Sequence, residues 1–529
     1  MGTDYFERIA APTDRCPSRR QLLATFATAG AAVLAPVAGG QPAWALQRPP
    51  GAAIPHTIAP DASRCFRAVA ERLLAAMEEH QVPGAALGIL ADGREEHATF
   101  GVASLKTNAP ITADTRFQIG SLTKTYTGTA VMRLIDQGKL DLDATVRTYL
   151  PNLQLMDEDV AARVTVRHLL THTGGWWADD ISDTGNGDDA IARYVAERLP
   201  TFPQLAPLGA FFSYNNTGFT LLGRLIEVVT GQTYRAAVQD LVLNPLGTGE
   251  STFAREEVEQ LPHVVGHGRG SQGMEVVTPL YCPRNVDPAG GLWSTTRDQL
   301  RYARFHLGDG TAPGGSRLLA PHTLGLMRTP QVAIFGGSAL AMGLPWFVQA
   351  LPGLQLVMHG GDTFGQHTAF MFAPWRGFAL VLFVNAEPAD LVEVAVVNEA
   401  VQRYLGLSQV GAQAGFSAAL GAPTGTPTVV VPADELAQYA GRYSAPDTAY
   451  VLRVENGRLR ITVEQTLVPE QIMSSIAPPP GQDVPVSFLA TDLGFVEHVV
   501  VPFVRKPNGH LGWIQIGLRL QPRSEPPLR

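Results

Sequence analysis

Phe117-Gln118-Ile119-Gly120-Ser121-Leu122-Thr123-Lys124 is the stretch of this 529-residue chain from which most can be inferred. Apolar residues at helical spacing follow it, so the sequence predicts that Ser121 lies at the first turn of a helix. Backbone N–H groups at such a turn favour negative charge, and a lysine three residues on shares the same helix face. A serine needs a neighbouring base to take its proton before it can attack. We therefore expect Ser121 to be a nucleophile and Lys124 its base.

Lysine is scarce in this chain, which draws attention to Lys124. Four of the 40 cationic residues are lysines, and the others are arginines. Arginine stays protonated at any working pH and cannot act as a base. A lysine can do so once burial or a nearby cation lowers its pKa toward neutrality. The alternative is an accidental Ser-x-x-Lys on an exposed helix.

A Tyr-x-Asn triplet, Tyr214-Asn215-Asn216, precedes a second apolar helical pattern. With the Ser-x-x-Lys, it resembles the serine β-lactamase and penicillin-binding superfamily, in the branch of class C β-lactamases, D-aminopeptidases and related esterases. The resemblance implies that Tyr214 helps to pass a proton to the leaving group and that Asn216 binds the acyl side of the substrate. A tyrosine in a helix-capping loop is the alternative.

The third element of that family is a Lys-Thr-Gly triad on the strand that lines the cleft. This sequence has His359-Gly360-Gly361-Asp362 there instead. The resemblance implies that His359 takes the place of the lysine, and that Gly361 lets the backbone approach the substrate. The backbone N–H of Asp362, together with that of Ser121, would form the oxyanion hole. Loss of lysine and threonine weakens a pure β-lactamase interpretation, and histidine forms occur among the amidases and esterases of the branch.

Two further segments carry the resemblance without catalytic residues. Residues 166–175 are similar to a Leu-Leu-x-His-x-Ser-Gly turn, and residues 288–295 to a Pro-Ala-Gly-Gly-Leu-x-Ser segment. The resemblance thus spans roughly residues 62–405, with its motifs in order. It implies a serine hydrolase that acts through an acyl-enzyme on an ester, amide or β-lactam bond of a small molecule or short peptide.

Strand patterns at the two ends of this region predict the fold. Residues 86–90 return through a turn at Asp92-Gly93, and residues 367–372 and 378–385 pair around a turn at 374–377. The intervening residues are mainly helical and rich in loops. The sequence predicts an α/β (α+β) fold, in which an antiparallel sheet from both chain ends is flanked by helices and carries a large helical insertion.

Composition divides the rest of the chain. We expect an export signal over residues 1–45, a hydrolase domain over 46–406, a Gly/Ala/Thr/Pro-rich linker over 407–431, and a C-terminal antiparallel β-barrel over 432–529. Asn-Gly turns between alternating runs predict the barrel's hairpins. This part resembles the lipocalin-like barrel appended to some relatives.

The amino terminus predicts export. Ser18-Arg19-Arg20-Gln21-Leu22-Leu23 opens an apolar run, and Ala43-Trp44-Ala45 offers a cleavage site, which resembles a twin-arginine signal. A cytosolic chain with an apolar start is the alternative. After signal removal no stable membrane span is expected. Once Cys16 has left with the signal, Cys65 and Cys282 could form a disulfide or stay as buried thiols.

Other functional classes are disfavoured. A net charge of -8 and the lack of a basic stripe argue against nucleic acid. His168 with His172, and His263 with His267, have the spacing of a zinc pair but no third ligand, so structural histidines are favoured and no cofactor is expected. A Gly-x-Ser-x-Gly elbow is absent, which disfavours an α/β-hydrolase. A catalytically retired binding protein on the same scaffold remains the main alternative.

Overall fold

The computed structural model describes residues 54–270, 273–334, 340–407, 429–466, 483–490, 492–496 and 499–524. Its strands, in chain order, are β1 His56–Ile58, β2 Gly84–Ala91, β3 Arg94–Gly101, β4 Phe117–Gln118, β5 His267–Gly270, β6 Gly273–Val276, β7 Trp293–Ser294, β8 Val332–Ala333, β9 Leu340–Met342, β10 Phe347–Leu351, β11 Leu354–Asp362, β12 His367–Ala373, β13 Phe378–Val384, β14 Gly441–Ser444, β15 Thr448–Glu455, β16 Arg458–Thr466, β17 Asp483–Ala490, β18 Leu493–Val496, β19 Val499–Arg505, β20 Leu511–Ile516 and β21 Arg519–Pro522.

The chain also forms helices, most of which lie in sequence between β3 and β8. They are α1 Arg64–His80, α2 Thr123–Asp136, α3 Glu158–Arg163, α4 Val166–Leu170, α5 Ala190–Arg193, α6 Asn216–Thr230, α7 Tyr234–Val238, α8 Asn244–Leu246, α9 Arg255–Val258, α10 Asp287–Gly290, α11 Thr296–Leu307, α12 Pro321–Met327, α13 Ala389–Leu405 and α14 Ala433–Leu436.

A nine-stranded antiparallel sheet is the framework of the larger body. Its order is β1-β3-β2-β13-β12-β11-β10-β9-β8. The hairpin of β2 and β3 joins the hairpin of β12 and β13 because β2 pairs with β13, in a register that places Ala86 opposite Phe383. Strands from both ends of this region therefore form one sheet, and the helices are inserted between them. The predicted α/β (α+β) architecture is confirmed.

Helices cover both faces of this sheet. On one face α1 and α13 pack together, and Phe66 and Val396 enter the same core as Leu380. On the other face α11 packs on β13 and β2, and its Leu300 shares a core with Val381. Strand β13 is buried along its whole length, as expected for a strand covered on both faces.

The C-terminal strands form a second antiparallel sheet, called here the C-terminal sheet (residues 441–522). Its eight strands follow one another in sequence order from β14 to β21. One isolated bridge, between Tyr443 and Arg523, links β14 to the end of β21. The predicted antiparallel C-terminal strands are confirmed. Within the described residues they do not form a closed barrel, because the first and last strands meet at that bridge and not along a continuous ladder.

Several sequence predictions concern other parts of the chain. The export signal, with Cys16, and residues 408–428 of the linker lie outside the described residues. Cys65 and Cys282 are not joined in a disulfide, and both are part-buried. Within the described part of the chain, no helix is long and apolar enough to cross a membrane.

Candidate active site

Ser121 lies in a 3₁₀ turn, Gly120–Leu122, that leads directly into α2. Gly120 has a φ of 51°, in the region that favours glycine. The turn packs against the end of β11 so closely that a Cβ on Gly120 would stand 2.7 Å from the backbone nitrogen of Asp362. Ser121 itself is only part-buried.

The Lys124 side chain is buried beside that hydroxyl. Its Nζ lies 3.0 Å from Ser121 Oγ and donates to the carbonyl oxygen of Ala289 at 2.6 Å. Burial holds the pKa of Lys124 well below its ordinary value, and the nearby Arg519 guanidinium lowers it further. A neutral amine keeps a lone pair, which can point at the serine while an N–H satisfies the carbonyl.

Tyr214 completes this group of side chains. Lys124 Nζ lies 4.9 Å from the centroid of the Tyr214 ring. Burial raises the pKa of Tyr214, while the Ser121 hydroxyl and the Arg519 guanidinium act in the opposite direction. Among the described residues, the buried Tyr214 hydroxyl makes no hydrogen bond of ordinary geometry. The Tyr214 hydroxyl thus faces Ser121, and a buried donor that makes no well-formed bond is costly unless a ligand or water uses it.

Strand β11 brings its glycine against the serine turn. A Cβ on Gly361 would stand 2.0 Å from the carbonyl oxygen of Ile119 and 2.7 Å from the backbone nitrogen of Ser121. Only glycine allows this approach without a shift of the backbone. The backbone nitrogens of Ser121 and Asp362 therefore lie at the same junction, while the Asp362 side chain is exposed.

His359 lies on the same face of β11 as Gly361, two residues away. Its side chain is buried, its Nδ1 lies 2.6 Å from the carbonyl oxygen of Gly360, and its ring packs edge-on to Phe347. Burial lowers the pKa of His359 to about 3. At neutral pH His359 is therefore uncharged and brings no positive charge to this face of β11.

Asn216, the first residue of α6, contacts Asp179, which in turn pairs with Arg519, and sequence analysis missed both of these residues. Its amide donates to Asp179 Oδ1 at 2.9 Å. Arg519 of the C-terminal sheet donates to both carboxylate oxygens of the same Asp179, at 2.6 and 2.7 Å. The Arg519 guanidinium also lies 4.7 Å from the centroid of the Tyr214 ring. No motif marked Asp179 or Arg519, since they are far apart in sequence and meet only in the fold.

His172 supports Tyr214 from the side. The two rings are stacked with their centroids 4.3 Å apart, and His172 Nδ1 accepts from the backbone N–H of Asn215 at 2.8 Å. His168 instead closes a capping box with Thr165 at the start of α4. His168 and His172 therefore both hold neighbouring backbone or side-chain groups in position. Similarly, His267 Nε2 accepts from the N–H of Leu105.

The region that carries this site matches known proteins. The model of the family described as Beta-lactamase matches residues 69–402. The chain belongs to the beta-lactamase family. Penicillin-binding protein 4 of Amycolatopsis lactamdurans is 37% identical to this family member over 322 residues, which cover 60% of this chain and 84% of that protein. A beta-lactamase of Lysobacter lactamgenus is 27% identical over 356 residues, or 62% of this chain and 89% of that protein.

Solved structures extend the likeness. A structure of SurE with D-Leu is 25% identical with a TM-score of 0.68, and the match covers 87% of this beta-lactamase family member and 100% of that chain. A class C beta-lactamase from Rhodobacter sphaeroides, at 22% identity and a TM-score of 0.53, covers 64% of this chain and 99% of that chain, which shows the shared fold. Membership of this family supports hydrolase activity of the serine type in general.

Proposed function

We propose that this protein is a serine hydrolase that forms an acyl-enzyme on Ser121. The observation that supports the proposal best is the position of Lys124, whose buried amine lies 3.0 Å from Ser121 Oγ. Burial favours its neutral form, and a neutral amine can take the serine proton. A third group, Tyr214, adjoins the pair, with its ring centroid 4.9 Å from Lys124 Nζ.

The proposed reaction has two halves. Ser121 Oγ attacks the substrate carbonyl carbon while its proton passes to Lys124 Nζ. The backbone N–H groups of Ser121 and Asp362 stabilise the oxyanion. The bond to the leaving group then breaks, and the proton reaches the leaving group through the Tyr214 hydroxyl. Water attacks the acyl-enzyme and loses a proton to Lys124. The bond between the acyl carbon and Ser121 Oγ then breaks, and that proton returns to Oγ as the acyl group leaves as a carboxylic acid.

The substrate is proposed to be an ester or amide of a small molecule or short peptide. Asn216 would contact its acyl side, and the neutral His359 would provide a site different from that of a β-lactamase with a Lys-Thr-Gly triad. The likeness to SurE, whose structure contains D-Leu, favours a substrate with a D-configured residue.

The same proposal assigns residues 46–406 to the hydrolase domain and 432–529 to a lipocalin-like domain, and includes export by a twin-arginine signal.

The first test is covalent labelling. A fluorophosphonate probe is expected to modify Ser121 in the wild type and nothing in Ser121→Ala, as read by peptide mass spectrometry. Ser316→Ala, at an exposed serine away from the site, is the matched control and should label normally. Modification at another residue, or unchanged turnover in Ser121→Ala, would refute the proposal.

A substrate panel distinguishes the bond types. Hydrolysis of nitrocefin, a p-nitrophenyl ester and a D-alanine amide should be compared on the full-length protein. Turnover of the ester or the amide above nitrocefin is expected, because the cation of the Lys-Thr-Gly triad is absent. Failure on the whole panel with Ser121 unlabelled would instead favour a binding protein on the same scaffold.

A further inference from the structure

The hairpin of β20 and β21 is docked on the segment that carries Tyr214. The backbone N–H of Tyr214 donates to the carbonyl oxygen of Leu518 at 2.8 Å, and that of Leu520 donates to Ser213 Oγ at 3.2 Å. These bonds lie on either side of Arg519 in sequence. These two bonds therefore hold Arg519 in a fixed position beside Tyr214.

Two opposite charges meet there. The guanidinium donates to both oxygens of Asp179, which is the planar two-point geometry that arginine alone offers. Asp179 in turn accepts from the Asn216 amide. The same guanidinium lies 4.7 Å from the centroid of the Tyr214 ring, within the range of a cation–π contact. A continuous chain of contacts thus links the C-terminal sheet to two residues of the proposed reaction.

We infer that Arg519 is a positioning residue of the Ser121 site, which with Asp179 holds Tyr214 and Asn216 in place and sets the electrostatic environment of Lys124. This inference deepens the proposed function and rests on it. It makes the C-terminal sheet a component of the catalytic site, because the hydrolase part of the chain supplies Asp179 but not the cation that balances it.

The two charges act on Lys124 in opposite directions. After burial, the Arg519 guanidinium is the largest influence that lowers the pKa of Lys124, and the Asp179 carboxylate raises it. Removal of Arg519 leaves the carboxylate unbalanced and so favours protonated Lys124. Removal of Asp179 leaves the guanidinium unbalanced and favours the neutral amine. A merely structural role would not produce effects of opposite sign.

The test is the pH profile of Ser121 labelling by a fluorophosphonate in the full-length protein, which needs no natural substrate. The acidic limb of the labelling rate is expected to move to higher pH by roughly one unit in Arg519→Gln and to lower pH in Asp179→Asn. The double variant should return close to the wild type. Arg458→Gln, at an exposed position on the same sheet, is the control and should leave the profile unchanged.

Other outcomes separate the two proposals. If wild-type Ser121 is not labelled, the proposed function fails and this inference with it. If Ser121 is labelled but Arg519→Gln and Asp179→Asn shift the limb in the same direction, or lower the rate equally at every pH, only the inference is overturned. Should Arg519→Gln fail to fold, Asp179→Asn and Arg519→Lys decide the matter. The role is refuted if the acidic limb does not move in Asp179→Asn. It is also refuted if the limb of Arg519→Lys, which keeps the positive charge, moves upward by the full shift expected for Arg519→Gln.

Discussion

At the scale of single residues, the site depends on a lysine whose pKa burial holds well below its ordinary value. Lys124 has a hydroxyl and a carbonyl as its hydrogen-bond partners, and burial removes the water that would stabilise its charged form. The positive charge of Arg519 nearby acts in the same direction. The burial that disfavours the charged amine thereby favours the neutral form, which can act as a base.

Replacement of Lys124 by arginine separates charge from basicity. Lys124→Arg keeps a cation but cannot accept the Ser121 proton, so kcat/KM for the ester should fall by about 10²–10⁴-fold. The measurement is steady-state hydrolysis with the labelling rate of Ser121. The control is Lys139→Arg, the same exchange at an exposed position, which should be neutral. Retention of wild-type rates in Lys124→Arg would show that another group is the base.

Local spacing predicts some of these residues and not others. Ser121 and Lys124 stand one helical turn apart in sequence, so their contact follows from the geometry of a helix. Tyr214 and Gly361 could be placed through family motifs. Asp179 and Arg519 could not, because their pairing depends on how the C-terminal sheet docks. The neutral state of His359 likewise depends on burial, which no motif encodes.

At the scale of elements, a group of acidic side chains lies near the end of β11, the start of β12 and the start of α13. His367 of β12 lies 2.7 Å from Asp362 and 2.9 Å from Glu387. Burial alone would lower the pKa of His367, but Glu387 and Asp362 raise it well above its ordinary value. His367 therefore links the end of β11 to the segment before α13, next to the backbone nitrogen proposed for the oxyanion hole.

Glu393 of α13 is the buried member of this group, and it predicts a dependence of stability on pH. Burial raises the pKa of Glu393 from 4.5 to about 8. Below the pKa of 4.5 that Glu393 has in the unfolded chain, the carboxyl is protonated in both the folded and the unfolded state. As pH rises toward 8 the unfolded chain releases the proton first, so stability falls, and above 8 the full cost of the buried charge is present.

Glu393→Gln mimics the protonated carboxyl. It should leave the melting temperature unchanged at pH 4.5 and raise it at pH 9, where the unfolding free energy should increase by about 5 kcal/mol. Differential scanning calorimetry at both values tests this. Glu399→Gln, on the same helix but part-exposed and paired with Arg403, should show no such difference. Equal effects of Glu393→Gln at both values would contradict the assignment.

At the scale of the whole molecule, the two sheets were predictable to different degrees. The apolar runs and turns of residues 84–101 and 367–384 give the central sheet, because continuous burial on both faces leaves a clear pattern. The C-terminal hairpins were equally visible. Closure of that sheet was not, since it depends on whether the edges of β14 and β21 pair, and alternation of side chains along each strand does not encode it.

Docking of the C-terminal sheet has its own apolar contact, centred on Trp513 of β20. The Trp513 indole N–H donates to the carbonyl oxygen of Leu205 at 2.7 Å, and its ring packs near Phe211 with centroids 5.1 Å apart. Removal of such a buried side chain costs about 3 kcal/mol or more. Trp513→Ala should therefore loosen the hairpin that carries Arg519.

The consequence should be visible in catalysis far from the substitution. Trp513→Ala is expected to lower kcat by about tenfold or more and to move the acidic limb of Ser121 labelling upward, as Arg519→Gln does, since both withdraw the guanidinium from Asp179. Combining the two substitutions should add little, because the second removes a contact that is already lost. Trp375→Ala, at a tryptophan that is 74% exposed, is the matched control and should change neither quantity. Full additivity in the double variant would show that Trp513 acts on activity by a route that does not pass through Arg519.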